Sequence, residues 1–398
     1  MRPILSALLR NKTGAVLVVI QIAITLAIVV NALFIVNQRL ALIGRPTGMD
    51  EAGIFAFYSF GFTPDFKAEP TIRQDMRTLR GLPGVVDAAP INLIPMSSSG
   101  SDSTLTTKRG ENMPGVNAGI YDVDEHGLNA LGLKLVAGRN FTHQEVDYID
   151  PEKDYTPPVV IVTQALAKAL FPNGDALGKT IYWGGKDPSR IIGIVQRFYG
   201  NNYSGHIDWS ILLPDVVTAK QKAYIVRTHP GQRDRLMPKV EKMLRQSNPD
   251  RTIIIMNSMT KTIADHYRED RAMAVILTVV IALLIAITAL GIFGLAIFNV
   301  NRRRKQIGTR RALGARKADI IHYFMVESWL MTTIGVVIGS ALAIGLNYWL
   351  VMHYAVPRLT WYYVPAGIGL LWVLGAVAVL MPALRAASIP PAVATRTV

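Results

Sequence analysis

Residues 273–300 read MAVILTVVIALLIAITALGIFGLAIFNV, and residues 301–321, directly behind them, read NRRRKQIGTRRALGARKADII. The first stretch carries no Asp, Glu, Lys or Arg. At 1.5 Å per helical residue, a hydrocarbon core of about 30 Å needs roughly 20 such residues. The second stretch is densely basic, as expected of a segment held on the cytoplasmic side of a membrane. Together they read as a membrane-spanning helix that ends in a positively charged cytoplasmic loop.

Three further stretches satisfy the same criterion: Gly14–Val36, Ser328–Leu350 and Val364–Leu384. None contains an acidic residue, Lys or Arg within those limits. The first is longer than the roughly 7–15 apolar residues of a cleaved signal peptide, and no A-x-A-like site follows it, so it reads as a signal anchor. A chain of 398 residues that is 50% apolar accommodates four spans and still leaves room for a sizeable domain outside them.

The formal net charge of +14 is unevenly placed. Arg2, Arg10 and Lys12 precede the first span. Arg302, Arg303, Arg304, Lys305, Arg310, Arg311, Arg316 and Lys317 lie between the second and third, and Arg385 and Arg396 follow the fourth. Asp319 and Glu327 are the acidic residues set against them, whereas the long segment from Asn37 to Arg271 is nearly neutral. The basic excess is therefore a topology signal and not a nucleic-acid footprint. It predicts both termini and the Arg-rich loop in the cytoplasm and the long segment outside. With no cysteine, disulfides, thiolate chemistry and sulfur-ligated metals are excluded.

The expected organisation is a cytoplasmic amphipathic head over 1–12, a first span over 13–37, an extracytoplasmic domain with a stalk over 38–271 and a second span over 272–300. A cytoplasmic coupling loop follows over 301–327. The third span (328–351), an outer loop (352–363), the fourth span (364–384) and a cytoplasmic tail (385–398) complete the chain. In the head, Ile4, Leu5, Leu8 and Leu9 alternate with basic residues, which suits equally a short helix on the inner membrane surface or the frayed start of the first span. The fold class is an α-helical membrane protein with four transmembrane helices plus an α+β extracytoplasmic domain.

Within the extracytoplasmic segment, Thr71 with Gln74 offers a capping box for a helix through Leu79, stopped at Gly81–Gly84. Val85–Ile94, Arg190–Val195 and Thr252–Met256 read as strands, Thr163–Leu170 and Gln232–Gln246 as helices, and Ser97–Asp102 as a surface loop. Met259, Ile263 and Tyr267 recur every four residues without a breaker before the second span, which predicts one continuous stalk helix from Ser258.

Chemistry-bearing motifs are scarce. Gly174–Thr180 approaches a phosphate-binding loop, but three residues separate its glycines where four are required. With no second Gly-rich Lys-Ser/Thr loop, the expectation is a chain without an ATPase of its own. His126, His143, His206 and Asp208 have no spacing that links them into a metal or catalytic set. Neither catalytic, metal nor cofactor residues are expected. Gln21, Thr25 and Asn31 in the first span require polar partners on neighbouring helices, and Gly335 and Gly339 permit close helix approach in a bundle or a dimer.

The loop itself holds more than charge. Ile307, Ala312, Leu313, Ile320 and Ile321 stand among the arginines, with Gly308 and Gly314 framing them. Small apolar groups bordered by glycines and arginines suit docking into a groove on a partner.

The run Arg302–Glu327 resembles the signature of FtsX-like permeases, R-R-x-x-I-G-x-R-R-A-L-G-A followed by an aliphatic–aromatic stretch and a Glu, through Ile307, Gly308, Arg310, Arg311, Ala312, Leu313, Gly314, Ala315, Phe324 and Glu327. Lys305–Gln306 departs from it where many members have a basic–acidic pair. Leu131–Thr142, with Gly138-Arg139-Asn140-Phe141, and Ala165–Ile181 followed by Ile191–Val195 are similar to the periplasmic core domain of MacB-like ABC transporter permeases. The tail Pro382–Pro391 is similar to the family's C-terminal segment, with 272–398 forming the FtsX-like domain.

The resemblance implies a non-enzymatic permease subunit in the cell inner membrane. Two permease chains, identical or paralogous, would rest on a pair of separate ABC ATPase subunits that hold ATP and Mg, with no cofactor in this chain. Export of peptides, toxins or antibiotics by mechanotransmission would follow, with a periplasmic adaptor, an outer-membrane channel and membrane lipid as further partners and no nucleic acid. The implied docking residues are Ile307, Gly308, Arg310, Arg311, Ala312, Leu313, Gly314, Ala315, Ile320 and Glu327, with Leu313 and Ala312 at the centre. Lipoprotein extraction or regulation of a periplasmic partner by the same machinery is the alternative. A membrane-anchored enzyme or sensor would need a constellation that the sequence does not show.

Overall fold

The computed structural model describes residues 12–97, 100–111, 113–153, 155–200, 206–354 and 357–390. Apart from Lys12, the expected head lies outside the described residues, as do 98–99 of the expected surface loop and 391–398 of the tail. The chain divides into two compact units, one comprising residues 1–44 and 269–398, the other Arg45–Arg268.

Helix α1 (Lys12–Ile43) opens the first unit. The second unit then begins with β1 (Ile54–Gly61), α2 (Ala68–Arg80) and β2 (Val85–Ile91), and it ends with β12 (Gln221–Thr228), α5 (Arg233–Ser247) and β13 (Arg251–Ser258). These four strands form one antiparallel sheet in the order β13-β1-β12-β2. Two β-α-β halves interleaved in this way make a split βαβ arrangement of the ferredoxin-like kind. Phe55, Phe57, Tyr224 and Val226 on one sheet face pack against Ile72, Met76 and Leu79 of α2 and Leu236, Val240 and Leu244 of α5. Asp75 is buried in the same layer, where Arg251 grips it through both guanidinium nitrogens and the Tyr224 hydroxyl donates to it at 3.0 Å. Arg251 also donates to the Leu244 carbonyl and the Ser247 hydroxyl, so the buried guanidinium is well satisfied.

The residues between β2 and β12 build a second layer. Strands β3 (Asp102–Thr106), β4 (Val116–Asp122), β5 (Leu135–Gly138), β7 (Val159–Thr163), β8 (Thr180–Trp183), β9 (Asp187–Val195) and β10 (Ser210–Leu213) pair in the order β5-β9-β7-β10-β4-β3-β8. Because β8 also pairs with β9, six of the strands close into a ring around Leu105, Val160, Val162, Ile181, Ile191 and Ile211. Helix α4 (Gln164–Leu170), whose N-cap Thr163 accepts from the Leu166 amide, packs Leu166 and Leu170 against this core. The short helix α3 (Gly127–Leu131) and the parallel pair β6 (Asp147–Ile149) and β11 (Asp215–Val217) complete the unit.

Two local expectations require correction. The Thr71–Gln74 capping box is not formed: α2 starts three residues earlier, and the Thr71 hydroxyl donates to the Lys67 carbonyl inside the helix. The stalk is not one helix: α6 (Met259–His266) ends at Tyr267, and α7 (Arg268–Arg302) starts afresh. Side-chain periodicity continues across Tyr267, but apolar spacing does not report where the backbone hydrogen-bond ladder breaks. Strands β7 and β10 of the ring also carry no alternating signal, since every residue of each is buried.

Helix α7 is followed by α8 (Arg304–Ala312), α9 (Lys317–Tyr354) and α10 (Tyr363–Ala387). Helices α1, α7, α9 and α10 are long and apolar enough to cross a membrane. Residues 301–327, expected as a loop, are largely helical: they form α8 and the first turns of α9. Helix α1 is the hub of the bundle, with 56% of its most apolar window buried against 17% for α7. Gly335 and Gly339 lie against α1, and a Cβ at Gly339 would stand 2.8 Å from the Ala23 carbonyl oxygen. The small-residue pair therefore packs within the chain. Thr25 shares a 2.8 Å hydrogen bond with Thr288 of α7, Asn31 donates to the Ala343 carbonyl of α9 at 3.0 Å, and Gln21 lies against Gly291.

Candidate functional site

The basic segment between α7 and α9 is built from its caps outward. Arg303 is the lone residue between α7 and α8, with φ −102° and ψ 13°. Helix α8 closes on a left-handed glycine: Gly314 has φ +95°, its amide donates to the Arg311 carbonyl, and the Ala315 amide donates to the Arg310 carbonyl. This is the Schellman arrangement, and a side chain at position 314 would be strained in that backbone even though the space around it is open. Helix α9 then starts with Asp319 reaching back to the Arg316 amide at 2.8 Å. The turn between the two helices is thus specified at both ends.

The inner face of α8 carries Ile307 and Gly308, both buried, and Ile307 joins Ile320 and Phe324 of α9 in one apolar cluster. Arg303 donates to both carboxylate oxygens of Glu327 at 2.9 and 3.2 Å and to the Tyr323 hydroxyl at 3.0 Å. The Arg303 and Glu327 side chains are 15% and 3% exposed, so this is a buried, bidentate ion pair. The Arg310 guanidinium lies 5.2 Å from the centre of the Tyr323 ring, and Arg311 donates to the Ala387 carbonyl at the end of α10.

The ten residues named from sequence therefore separate into two sets. Ile307, Gly308, Ile320 and Glu327 are buried: Ile307 and Gly308 on the inner side of α8, Ile320 in the apolar cluster with Ile307, and Glu327 against Arg303. Arg310, Ala312, Leu313 and Gly314 are exposed on the outer side, and Arg311 and Ala315 are half-buried between the two sets, Ala315 against the apolar cluster. Leu313 is 83% exposed at the helix tip, an apolar side chain raised among basic ones. Arg303 and Tyr323 are functional candidates that sequence reasoning did not single out. Their signal was the carboxylate of Glu327 itself, which stands at the edge of an apolar run and requires a cationic partner.

In the other unit, His126 meets Asp87 at 3.0 Å, and this hydrogen bond raises the histidine pKa above its ordinary value. His143 meets Glu125 at 2.8 Å, His206 stacks on Trp209, and the Asp208 carbonyl accepts from Thr163. His126 and His143 thus meet at Glu125 Oε1, at 3.9 and 2.8 Å, whereas His206 and Asp208 lie with Trp209 and Thr163, and among the described residues no three His, Asp or Glu side chains converge as a metal site. The P-loop-like segment is a turn in which the Gly178 amide donates to the Ile191 carbonyl. A second buried cluster was not legible in sequence: Asp122, Asp215 and Lys222 are all deeply buried. Burial pushes Asp215 up to about 8 and Asp122 to about 6, and pulls Lys222 down to about 8.

Residues 15–243 match the model of the MacB-like periplasmic core domain, and residues 278–391 match that of the FtsX-like permease C-terminal domain. The macrolide export ATP-binding/permease protein MacB of Neisseria gonorrhoeae is 25% identical over an alignment covering 97% of this chain and 58% of the relative. The MacB of Chromobacterium violaceum is 25% identical, with 58% of this chain and 36% of the relative covered. The uncharacterized ABC transporter permease YknZ of Bacillus subtilis is 23% identical, with 84% and 81% covered. The chain thus spans less than two thirds of the length of these MacB relatives. Among solved structures, the periplasmic region of MacB from Actinobacillus actinomycetemcomitans aligns over 55% of this chain and 95% of that one, with a TM-score of 0.36 and 19% identity.

Proposed function

The chain belongs to the MacB-like ABC transporter permease family, and from that premise we propose that it is a transmembrane subunit that docks a separate ABC ATPase pair through α8 and the α8–α9 turn. The observation that carries this reading is the build of that segment. A nine-residue helix is too short to be stable alone, yet α8 is capped at its end and pinned to α9. It presents Leu313, Ala312 and Arg310 outward, while Arg311 ties it to the end of α10. A rigid mount under an exposed leucine ringed by cations suits an apolar pocket with acidic borders on a partner.

In this reading ATP hydrolysis in the partner moves the helices, and the motion reaches the outer domain. There it drives export of peptides, toxins or antibiotics by mechanotransmission, with a second permease chain, a periplasmic adaptor and an outer-membrane channel. The protein sits in the inner membrane with α8 and both termini in the cytoplasm, where the basic residues lie.

Purification of the tagged chain from native membranes in mild detergent, with mass spectrometry of what accompanies it, tests the reading. An ABC ATPase at about one copy per permease is the expected result. Recovery of the permease without any ATPase across several mild detergents would refute it.

A further inference from the structure

We propose that the Arg303–Glu327 ion pair, braced by Tyr323, is the joint that passes motion from α8 into the bundle, separate from the surface that grips the ATPase; this rests on the docking reading above. Arg303 is the single residue at which α7 stops and α8 starts, and its side chain is bonded to a third helix, α9. Three helices are therefore tied at one guanidinium.

The chemistry argues for a positional role. Two charges taken out of water at 15% and 3% exposure gain little over apolar residues of the same volume. A planar fork meeting a carboxylate gains direction, because two parallel hydrogen bonds fix both distance and angle. Helix α8 buries little besides Ile307 and Gly308, so apolar contact alone leaves its axis weakly set.

The location points the same way. Glu327 lines a cavity of about 20 Å³, room for one water, together with Val18 and Ile22 of α1, Asn299 of α7 and Val379 of α10. All four membrane-length helices thus meet at the level of the pair. A tilt of α8 is delivered through Glu327 to the middle of the bundle and not to its rim.

The chain has no native cysteine, so paired spin labels can be placed at will. Lys305→Cys on α8 and Val337→Cys on α9, both exposed, report the angle between the helices by pulsed dipolar spectroscopy in nanodiscs without any ATPase. The native pair should give one narrow distance distribution. Glu327→Gln and Arg303→Lys should broaden it, and the exchange Arg303→Glu with Glu327→Arg should narrow it again. With the partner ATPase present, Arg303→Lys should lower permease-stimulated ATP hydrolysis by about tenfold or more while ATPase affinity stays within about threefold. The exchange should recover most of the stimulation.

Unchanged distributions in both single variants overturn the proposal, as does an exchange that behaves no better than either single variant. If Glu327→Gln fails to fold, Arg303→Lys, which keeps the charge and loses the fork, decides the matter alone. If the native permease binds no ATPase, the docking reading fails, and the distance measurement still decides whether the pair sets the direction of α8.

Discussion

Replacing Leu313 separates docking from folding. Its side chain is 83% exposed in the chain alone, so truncation removes almost no internal packing, and Leu313→Ala should leave thermal stability within about 0.5 kcal/mol of the parent. On a partner, nearly the whole side chain is available for burial. Full burial of a leucine contributes about 1.5–3 kcal/mol, and loss of about 2 kcal/mol corresponds to roughly 30-fold weaker binding. Leu313→Asp adds the desolvation of a carboxylate and should abolish measurable binding. Affinity of the purified ATPase for permease in nanodiscs, followed by interferometry, reads both variants, and melting in detergent provides the folding control. A Leu313→Ala permease that bound within about threefold of the parent would refute the reasoning. So would one that lost affinity only because it melted earlier.

Three further outcomes follow from the geometry. Asp75→Ala leaves the buried Arg251 guanidinium without its carboxylate, and a loss of about 3–5 kcal/mol in chemical denaturation of the full chain is expected. Gly339→Leu drives a side chain into the Ala23 carbonyl and Leu26, so the variant should fail to accumulate as monodisperse protein on size exclusion, whereas Gly345→Leu, with open space around it, should be tolerated. The buried acids make stability depend on pH. Asp215 holds its proton in the fold to about pH 8 and Asp122 to about pH 6, while the unfolded carboxylates release theirs near 3.8. The folded state therefore binds more protons between these limits, and stability falls as pH rises from about 4 to 8. Lys222, with its folded pKa near 8 against an ordinary value of 10.5, acts oppositely above that window. Asp215→Asn should flatten the decline in melting temperature between about pH 5 and 8, and an unaltered slope would dismiss the cluster as its source.

The candidate site is partly legible in the amino-acid sequence alone. The exposed tip at Arg310, Ala312 and Leu313 stands out because apolar residues among cations are costly in water unless something covers them. Which face of the segment points out cannot be read in the same way. Ile307, Ile320 and Glu327 belong to the same composition as the tip; the turn at Gly314 folds Ile307 onto Ile320, and Arg303 with the packed helices covers Glu327.

Four membrane-length helices, and the side on which the charge collects, follow from the order of residues without any knowledge of contacts. Both are local properties: hydrocarbon requires an unbroken apolar run of about 20 residues, and flanking Lys and Arg can simply be counted. Two other features exist only once the chain is folded. One is the pairing of β1 with β12, which joins Ile54 to Arg227 across the whole inserted ring; the other is the choice of Arg303 among many arginines as the partner of Glu327. Strand partners and ion pairs are chosen by residues far apart in the chain. A bidentate guanidinium and a buried strand carry no periodic signature, and they become specific only when packing brings their partners within hydrogen-bond reach.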